Sequence, residues 1–373
     1  MDKGFCLGSD RFLLVETGWQ NGYRIYGTPS TSRHFGSLSK LFLTGHDMMS
    51  STSMPIRAGI VGTGYAANQR AQALQADERS HLVVFSGHTS EKIQEFAHNY
   101  ETSAVDSWQQ VVEHPKVDLV FICTINRDHG AIARAALAAG KHVAIEYPIS
   151  LDAEEAESLI ALAHSQGKLL HVEHIELLGG LHQVLRQSLP EIGNPFYARY
   201  TTIVPKRPAP QRWTYHPELF GFPFKAALPH MHRFTNLFGT VDSVSCQYRS
   251  WGVGDYYSAC LCTAQLRFTS GLIAAVTYGK GETFWQGLRN FEVHGDRGTL
   301  VFEGEQGTLI RGEERIPIEV PGRRGLFVKD TQMVLDYLAT GKPLYVSPQE
   351  SLYALKVGEA ARQSAETGEA IVL

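Results

Sequence analysis

The stretch at residues 56–67 reads I-R-A-G-I-V-G-T-G-Y-A-A, and it constrains the fold more tightly than any other part of the chain. A short run with β-branched residues ends at two glycines, and a helical pattern begins directly after them. Gly62 permits the tight turn out of a strand. Gly64 lets the backbone come close to a ligand, and Ala66 or Ala67 allows the new helix to pack near the strand. Amide groups that open a helix are unpaired and electropositive, so an anion such as a pyrophosphate is favoured beside Gly62, Thr63, Gly64, Tyr65 and Ala66. A lone G-x-G-x-x-A also occurs in ordinary tight turns, so the pattern of the next hundred residues decides between the two.

From residue 56 to about 172, apolar strand-like runs alternate with helical patterns. Strands are expected at 56–61, 81–86, 119–124, 142–146 and 168–172, and helices at 66–75, 90–99, 108–114, 129–139 and 153–165. Runs that are apolar throughout, joined by helices, form a parallel sheet covered on both faces. The expected fold class is α/β, with an N-terminal Rossmann dinucleotide-binding domain at 55–172 and ligands at the carboxyl ends of its strands. Beyond residue 173 the texture changes to longer strands of mixed polarity joined by polar turns. They are expected at 196–204, 241–251, 258–268, 272–278, 289–294, 298–303, 308–311 and 315–320, with helices at 329–340 and 348–367. This predicts a C-terminal α+β substrate-binding domain, 173–373, on a large, mostly antiparallel open sheet, its last helices packing back toward the first domain. Residues 1–54 fit neither pattern. They are rich in Gly, Ser and Thr without a sustained period, and are expected to be an unstructured extension.

The 373 residues suffice for two domains with cores of their own. With 43% hydrophobic and 19% charged residues and a net charge of −4, there is no electrostatic reason to expect a nucleic-acid or acidic-membrane partner. No run reaches the roughly 18 apolar residues of a membrane span. Cys6, Cys123, Cys246, Cys260 and Cys262 are odd in number and scattered, which predicts buried free thiols in a reducing, cytoplasmic setting. Cys260 and Cys262 have no second pair to complete a zinc site, so no metal is expected.

Enzymes that use NAD carry an acidic residue about 20 positions beyond the glycines, to hold the ribose hydroxyls. Here the window reads Phe85-Ser86-Gly87-His88-Thr89-Ser90-Glu91-Lys92. No carboxylate ends the strand, while Ser86, Thr89, Ser90 and Lys92 can donate to a 2′-phosphate. Ser90 also reads as a helix N-cap, which suits either cofactor. NADPH is the expected cofactor and NADH the alternative.

Further motifs come in order along the chain. Thr124-Ile125-Asn126-Arg127-Asp128-His129 and Glu146-Tyr147-Pro148 stand at strand ends. A closing stretch runs from Phe327 through Gly341-Lys342-Pro343 and Ser347 to Ser364-Ala365-Glu366-Thr367-Gly368. With the glycine turn, this ordered set resembles the glucose–fructose oxidoreductase / inositol dehydrogenase / rhizopine catabolism family, from about Met54 to Leu373. The resemblance implies a Rossmann domain followed by an α/β domain whose open sheet floors the active site. It also implies that Thr124, Ile125, Asn126, His129, Glu146 and Tyr147 lie along the cofactor, with Asn126 and His129 near its nicotinamide half.

The departures are informative. Sugar-oxidising members carry Glu-Lys-Pro where this chain has Glu146-Tyr147-Pro148, and a lysine is the better base for alcohol oxidation. Their later Asp-x-x-x-His is missing too, since Ala226 stands four residues before His230. Glu-Tyr-Pro instead resembles the biliverdin reductase branch of the family. So do His171-Val172-Glu173-His174-Ile175-Glu176-Leu177-Leu178, Phe220-Gly221-Phe222-Pro223 and Arg233-Phe234-Thr235. Phe196-Tyr197-Ala198-Arg199-Tyr200, Ala209-Pro210-Gln211-Arg212-Trp213-Thr214-Tyr215-His216 and Arg323-Arg324-Gly325-Leu326-Phe327 look like its cyanobacterial members. The implied reaction is hydride transfer from NADPH to the central methine carbon of biliverdin, with protonation of a pyrrole nitrogen.

A linear tetrapyrrole is large, flat and apolar and carries two propionates, so its site needs aromatic walls and a few cations. Residues 196–251 interleave aromatics (Phe196, Tyr197, Tyr200, Trp213, Tyr215, Phe220, Phe222, Phe224, Phe234, Tyr248 and Trp251 among them) with Arg199, Lys206, Arg207, Arg212, Lys225, Arg233 and Arg249. Arginine's fork suits a carboxylate, which favours Arg212 and Arg233. The expected substrate contacts are Glu173, His174, Arg212, Trp213, Phe222 and Arg233. Tyr147 and Arg233 rank first as catalytic groups, with Glu146 beside them and His174 and His230 as acids of suitable unperturbed pKa. Glu173 and Glu176 beside His171 and His174 are read as a hydrogen-bonded cluster under the cofactor, not a metal site. Two other readings stay open: a sugar or polyol dehydrogenase of the same family, and a sensor that binds NADPH without catalysis. Oligomeric state, monomer or homo-oligomer, is open as well.

Overall fold

The computed structural model describes residues 54–373; apart from Met54, the expected N-terminal extension lies outside the described residues. Six strands form a parallel sheet: β1 (Ile56–Val61), β2 (Ser80–Ser86), β3 (Ser103–Val105), β4 (Leu119–Ile122), β5 (His142–Ile145) and β6 (Leu170–Val172). Their order is β3-β2-β1-β4-β5-β6, the doubly wound arrangement whose strand order reverses beside β1. The connecting helices are α1 (Tyr65–Gln75), α2 (Ser90–Tyr100), α3 (Trp108–Glu113), α4 (His129–Ala138) and α5 (Ala153–Ser165). Every residue of β4 is buried, as expected of a strand covered on both faces.

A second segment continues with α6 (Ile175–Leu178), α7 (Gly180–Ser188), β7 (Pro195–Pro205), α8 (Pro217–Phe220), α9 (Pro223–Ala226) and α10 (Pro229–Phe238). Then come β8 (Val241–Trp251), β9 (Ala259–Phe268), β10 (Ile273–Gly281), β11 (Leu288–Gly295), β12 (Gly298–Glu303), β13 (Gln306–Arg311) and β14 (Glu314–Glu319). The chain closes with α11 (Leu326–Thr340), α12 (Pro348–Thr367) and β15 (Ile371–Val372). The nine-stranded sheet runs β14-β13-β12-β11-β7-β10-β9-β8-β15. All pairs are antiparallel except the central β7–β10 pair. Helices α7, α10 and α12 bury one of its faces, through Leu185, Met231, Phe234 and Val357 among others.

The expected helices and strands recur within a few residues. Helices α6 to α10 are the main addition. Four-residue helices are too short to show a period, and α8, α9 and α10 each open on a proline that reads as a turn in sequence. Helix α12 is legible at both ends: Ser347 and Glu350 form a capping box, and Gly368 closes it with φ +78°.

One buried charge cluster links the parallel sheet to the closing helices. Arg70 on α1 is 1% exposed. Its guanidinium pairs with Asp330 of α11, reaches Glu146 at 3.1 Å and donates to Thr331 Oγ1 at 3.0 Å. Asp330 also accepts from Tyr345 Oη at 2.7 Å and from His171 Nε2 at 2.8 Å. Burial by itself would raise the Asp330 carboxyl, but Arg70, His171 and Tyr345 outweigh it and hold it well below the usual carboxylate range. Breaking such a pair strands a buried charge. Asp330→Asn is therefore expected to lower stability by about 3–5 kcal/mol in denaturant unfolding at pH 7. The depressed carboxyl contributes fully above its unfolded pKa, near 4, and progressively less as pH falls through its folded value. The gap between wild type and Asp330→Asn should thus narrow in acid; a gap constant from pH 7 to pH 3 would contradict the assignment.

Candidate active site

The glycine turn after β1 is shaped by contacts that side chains would spoil. Gly62 has φ +122°, and a Cβ there would stand 2.3 Å from the Cys123 carbonyl oxygen. Gly64 is the N-cap of α1 with φ −80°, and a Cβ there would meet nothing within 4 Å. The first turn of α1 holds no acidic residue, and no side chain caps it. Its amides therefore face open space at the sheet's carboxyl edge, where the dipole favours a phosphate. Gly87, which sequence reasoning passed over, packs under this turn: a Cβ there would lie 2.7 Å from Thr63 and from Ile93. These residues fit a dinucleotide.

Beside the end of β5 a cleft of about 500 Å³ opens between the two sheets' segments. Its floor is the second sheet, where Tyr278, Thr202 and Arg289 lie side by side on β10, β7 and β11. Tyr147 from the loop after β5, Glu176 from α6, and His230 and Arg233 from α10 form its walls. Arg233 is 1% exposed, lies 5.7 Å from the Tyr200 ring centroid and pairs with Glu176. Burial lowers its pKa. Burial, then the nearby Glu173 and Glu146, push the Tyr147 phenol up, so it is a neutral donor in this setting.

Residues 56–174 match the oxidoreductase family's NAD-binding Rossmann fold, and residues 189–373 match its C-terminal alpha/beta domain. This is the glucose–fructose oxidoreductase / inositol dehydrogenase / rhizopine catabolism family. The chain belongs to it. Among solved structures, biliverdin reductase from Synechocystis sp. PCC 6803, in complex with biliverdin and NADP+, is 55% identical, with a TM-score of 0.83. That match covers 84% of this chain and 100% of the other. Mouse and human biliverdin reductase A are 28% and 26% identical over 191 and 208 residues, half or slightly more of this chain. Those matches span only 59% and 65% of the mammalian proteins.

Within the family framework, the residues singled out in sequence fall into three groups. Tyr147, His230 and Arg233 line the cleft. Thr124, Ile125 and Glu146 stand just beyond strand ends near the glycine turn, with Glu146 held by Arg70. Asn126 is buried and donates to the Phe220 carbonyl at 2.9 Å; His129, also buried, meets the Pro148 carbonyl through Nδ1 at 2.7 Å. Both therefore brace the loops around the cofactor edge. At the end of β2, Ser86 is buried, while Thr89, Ser90 and Lys92 are exposed. Thr89, not Ser90, is the N-cap of α2, and its hydroxyl makes no capping bond.

Other expectations need correcting. His174 does not face the cleft. Its Nε2 meets Ser351 Oγ at 2.8 Å, its ring stacks 5.8 Å behind Tyr147, and burial with His232 alongside holds its pKa well below the ordinary value. His230 faces the cleft, but Nδ1 donates to Ala227 O and Nε2 accepts from Thr202. Burial drops its pKa to about 4, so the unperturbed value invoked for both histidines does not apply. Glu173 is buried, takes the Ile175 amide and has its carboxyl pushed up by burial and by Glu146; it lies behind the wall. Arg212 is exposed, Trp213 packs on Phe220, and Phe222 packs on Phe224 and Tyr248, none of them lining the cleft. Tyr200, one of the aromatics singled out between 196 and 251, lines the cleft, whereas Arg70, Tyr278 and Arg289 were missed, because a lone Arg or Tyr in a strand or helix carries no local signal.

Gly64 offers a clean test of the dinucleotide site. At φ −80° with free space around it, Gly64→Val should leave the unfolding temperature within about 2 °C, yet weaken NADPH binding by about 100-fold as the side chain fills the phosphate position. Unchanged affinity by fluorescence titration would place the phosphates elsewhere.

Proposed function

We propose that this chain is a biliverdin reductase: it transfers hydride from NADPH to the central methine carbon of biliverdin, a pyrrole nitrogen takes up a proton, and bilirubin results. The likeness at 55% identity over the whole length of a biliverdin- and NADP+-bound reductase carries this reading. The cleft agrees on its own terms. It is walled by Tyr147, Tyr200 and Tyr278 and carries Arg233, Arg289 and Arg323 on a protein of net charge −4. Flat apolar walls with local cations are what a dianionic tetrapyrrole requires. Among the described residues no lysine lines the cleft to serve as an alcohol base, which disfavours the polyol reading.

Bound NADPH supplies the hydride. Gly62, Gly64 and the start of α1 receive its pyrophosphate; Thr89, Ser90 and Lys92, with no carboxylate ending β2, receive a 2′-phosphate, so NADPH is preferred over NADH. Tyr147, kept neutral by its surroundings, donates a hydrogen bond to the bilin beside the reacting carbon. Arg233, whose guanidinium stands in the cleft wall, favours negative charge on the bilin as the bond order shifts. Among the described residues no helix is long and apolar enough to cross a membrane. The free thiols Cys123, Cys246, Cys260 and Cys262 accord with a cytoplasmic assignment.

Purified protein mixed with biliverdin and NADPH should lose the pigment's red band and gain bilirubin's blue absorption; an unchanged spectrum with NADPH bound would sink the proposal. Tyr147→Phe should lower kcat about tenfold while leaving NADPH affinity within about twofold, because the hydroxyl acts in the transition state. Equal turnover would reduce Tyr147 to a packing role.

A further inference from the structure

Three guanidinium groups converge on one carboxylate in the cleft wall. Glu176, fixed on α6, pairs with Arg233 from α10, with Arg323 from the segment before α11, and at 3.7 Å with Arg289 from β11. All four residues line the cleft. The arginines come from elements far apart in sequence, and like charges this close repel, so a shared anion is what lets them stand together. Glu176 is well placed for that role, with only 13% of its side chain exposed.

One carboxylate leaves the group short of negative charge. Arg233 spends Nη2 on Glu176 and is sealed from solvent, while 36% of the Arg289 side chain and 52% of that of Arg323 stay accessible. A guanidinium fork fits a carboxylate. Three positive charges against one negative leave two positive charges in the cleft wall. A ligand with two carboxylates completes the count, and a bilin's two propionates are such a pair.

We infer that Glu176 is a specificity-determining counter-ion. It holds Arg233, Arg289 and Arg323 together while the cleft is empty, and it sets the residual charge to that of a dicarboxylate. The inference rests on the bilin reading of this cleft. Glu176 thereby moderates a charge preference that three unopposed arginines would make steeper. A merely structural glutamate would support acid and ester substrates alike.

The test titrates biliverdin and its dimethyl ester into the NADP+-loaded protein and monitors the visible bands. Glu176→Gln keeps the shape and removes the charge. It should weaken ester binding yet raise the acid-to-ester affinity ratio about tenfold at low salt, with the gain fading at high salt. Glu176→Asp should restore a ratio close to wild type. A ratio that is unchanged or smaller in Glu176→Gln overturns the inference. Should that variant not fold, Arg323→Gln, at a half-exposed position, should lower the ratio about threefold, and an unchanged ratio there is equally fatal. Wild-type protein that binds neither compound overturns the bilin reading itself, a failure visible before any variant is made.

Discussion

The Arg70 cluster is the constraint on which the cleft depends. The Arg70 guanidinium, 1% exposed, is held by two carboxylates, Glu146 and Asp330, which come from the loop after β5 and from α11. Because a buried charge without a partner is far costlier than an unmade surface contact, these elements must assemble together or not at all. The consequence reaches the chemistry directly. Glu146 is the residue before Tyr147, so the arginine that ties α11 to α1 also sets where the tyrosine stands. His171, Tyr345 and His174 extend the same network beneath the tyrosine ring.

On the other side of Tyr147 the electrostatic balance is reversed. Behind it, carboxylates gather around one arginine; in front of it, arginines gather around one carboxylate. The first set has its arginine and Asp330 shut off from solvent, which suits structure. The second is open and short of negative charge, which suits a ligand. Tyr147 sits at the boundary as a neutral hydrogen-bond donor, since burial and the carboxylates behind it oppose its ionisation. The same boundary explains why His174 and His230 stay neutral and hold no proton to give: both are desolvated, and cationic or imidazole neighbours disfavour a further positive charge.

Much of this was legible in the chain. The glycine turn, the alternation of apolar runs with helices and the ordered motifs led to the Rossmann domain and the family, because each depends on local chemistry with a short period. The residues at strand ends, from Thr124 to Tyr147, could be named because ligands gather at the carboxyl edge of such sheets. Reading then failed in two places. Helices α6, α8, α9 and α10 were too short or too proline-marked to register, and α7 opens on the glycine pair Gly179-Gly180. The substrate cations were guessed from a local cluster of charges, and of seven named there, only Arg233 lines the cleft.

By itself, then, the sequence determined the dinucleotide turn, the two-sheet architecture and the family, since the backbone constraint at Gly62 and the periods of strand and helix are written within a few residues. Tertiary structure decided the charge pattern of the cleft. Glu176, Arg233, Arg289 and Arg323 are scattered across most of the C-terminal domain, and no spacing rule joins them. They meet because α6 packs against α10, and α10 against the face of the second sheet, and in that low-dielectric wall the balance of charge weighs on what can bind.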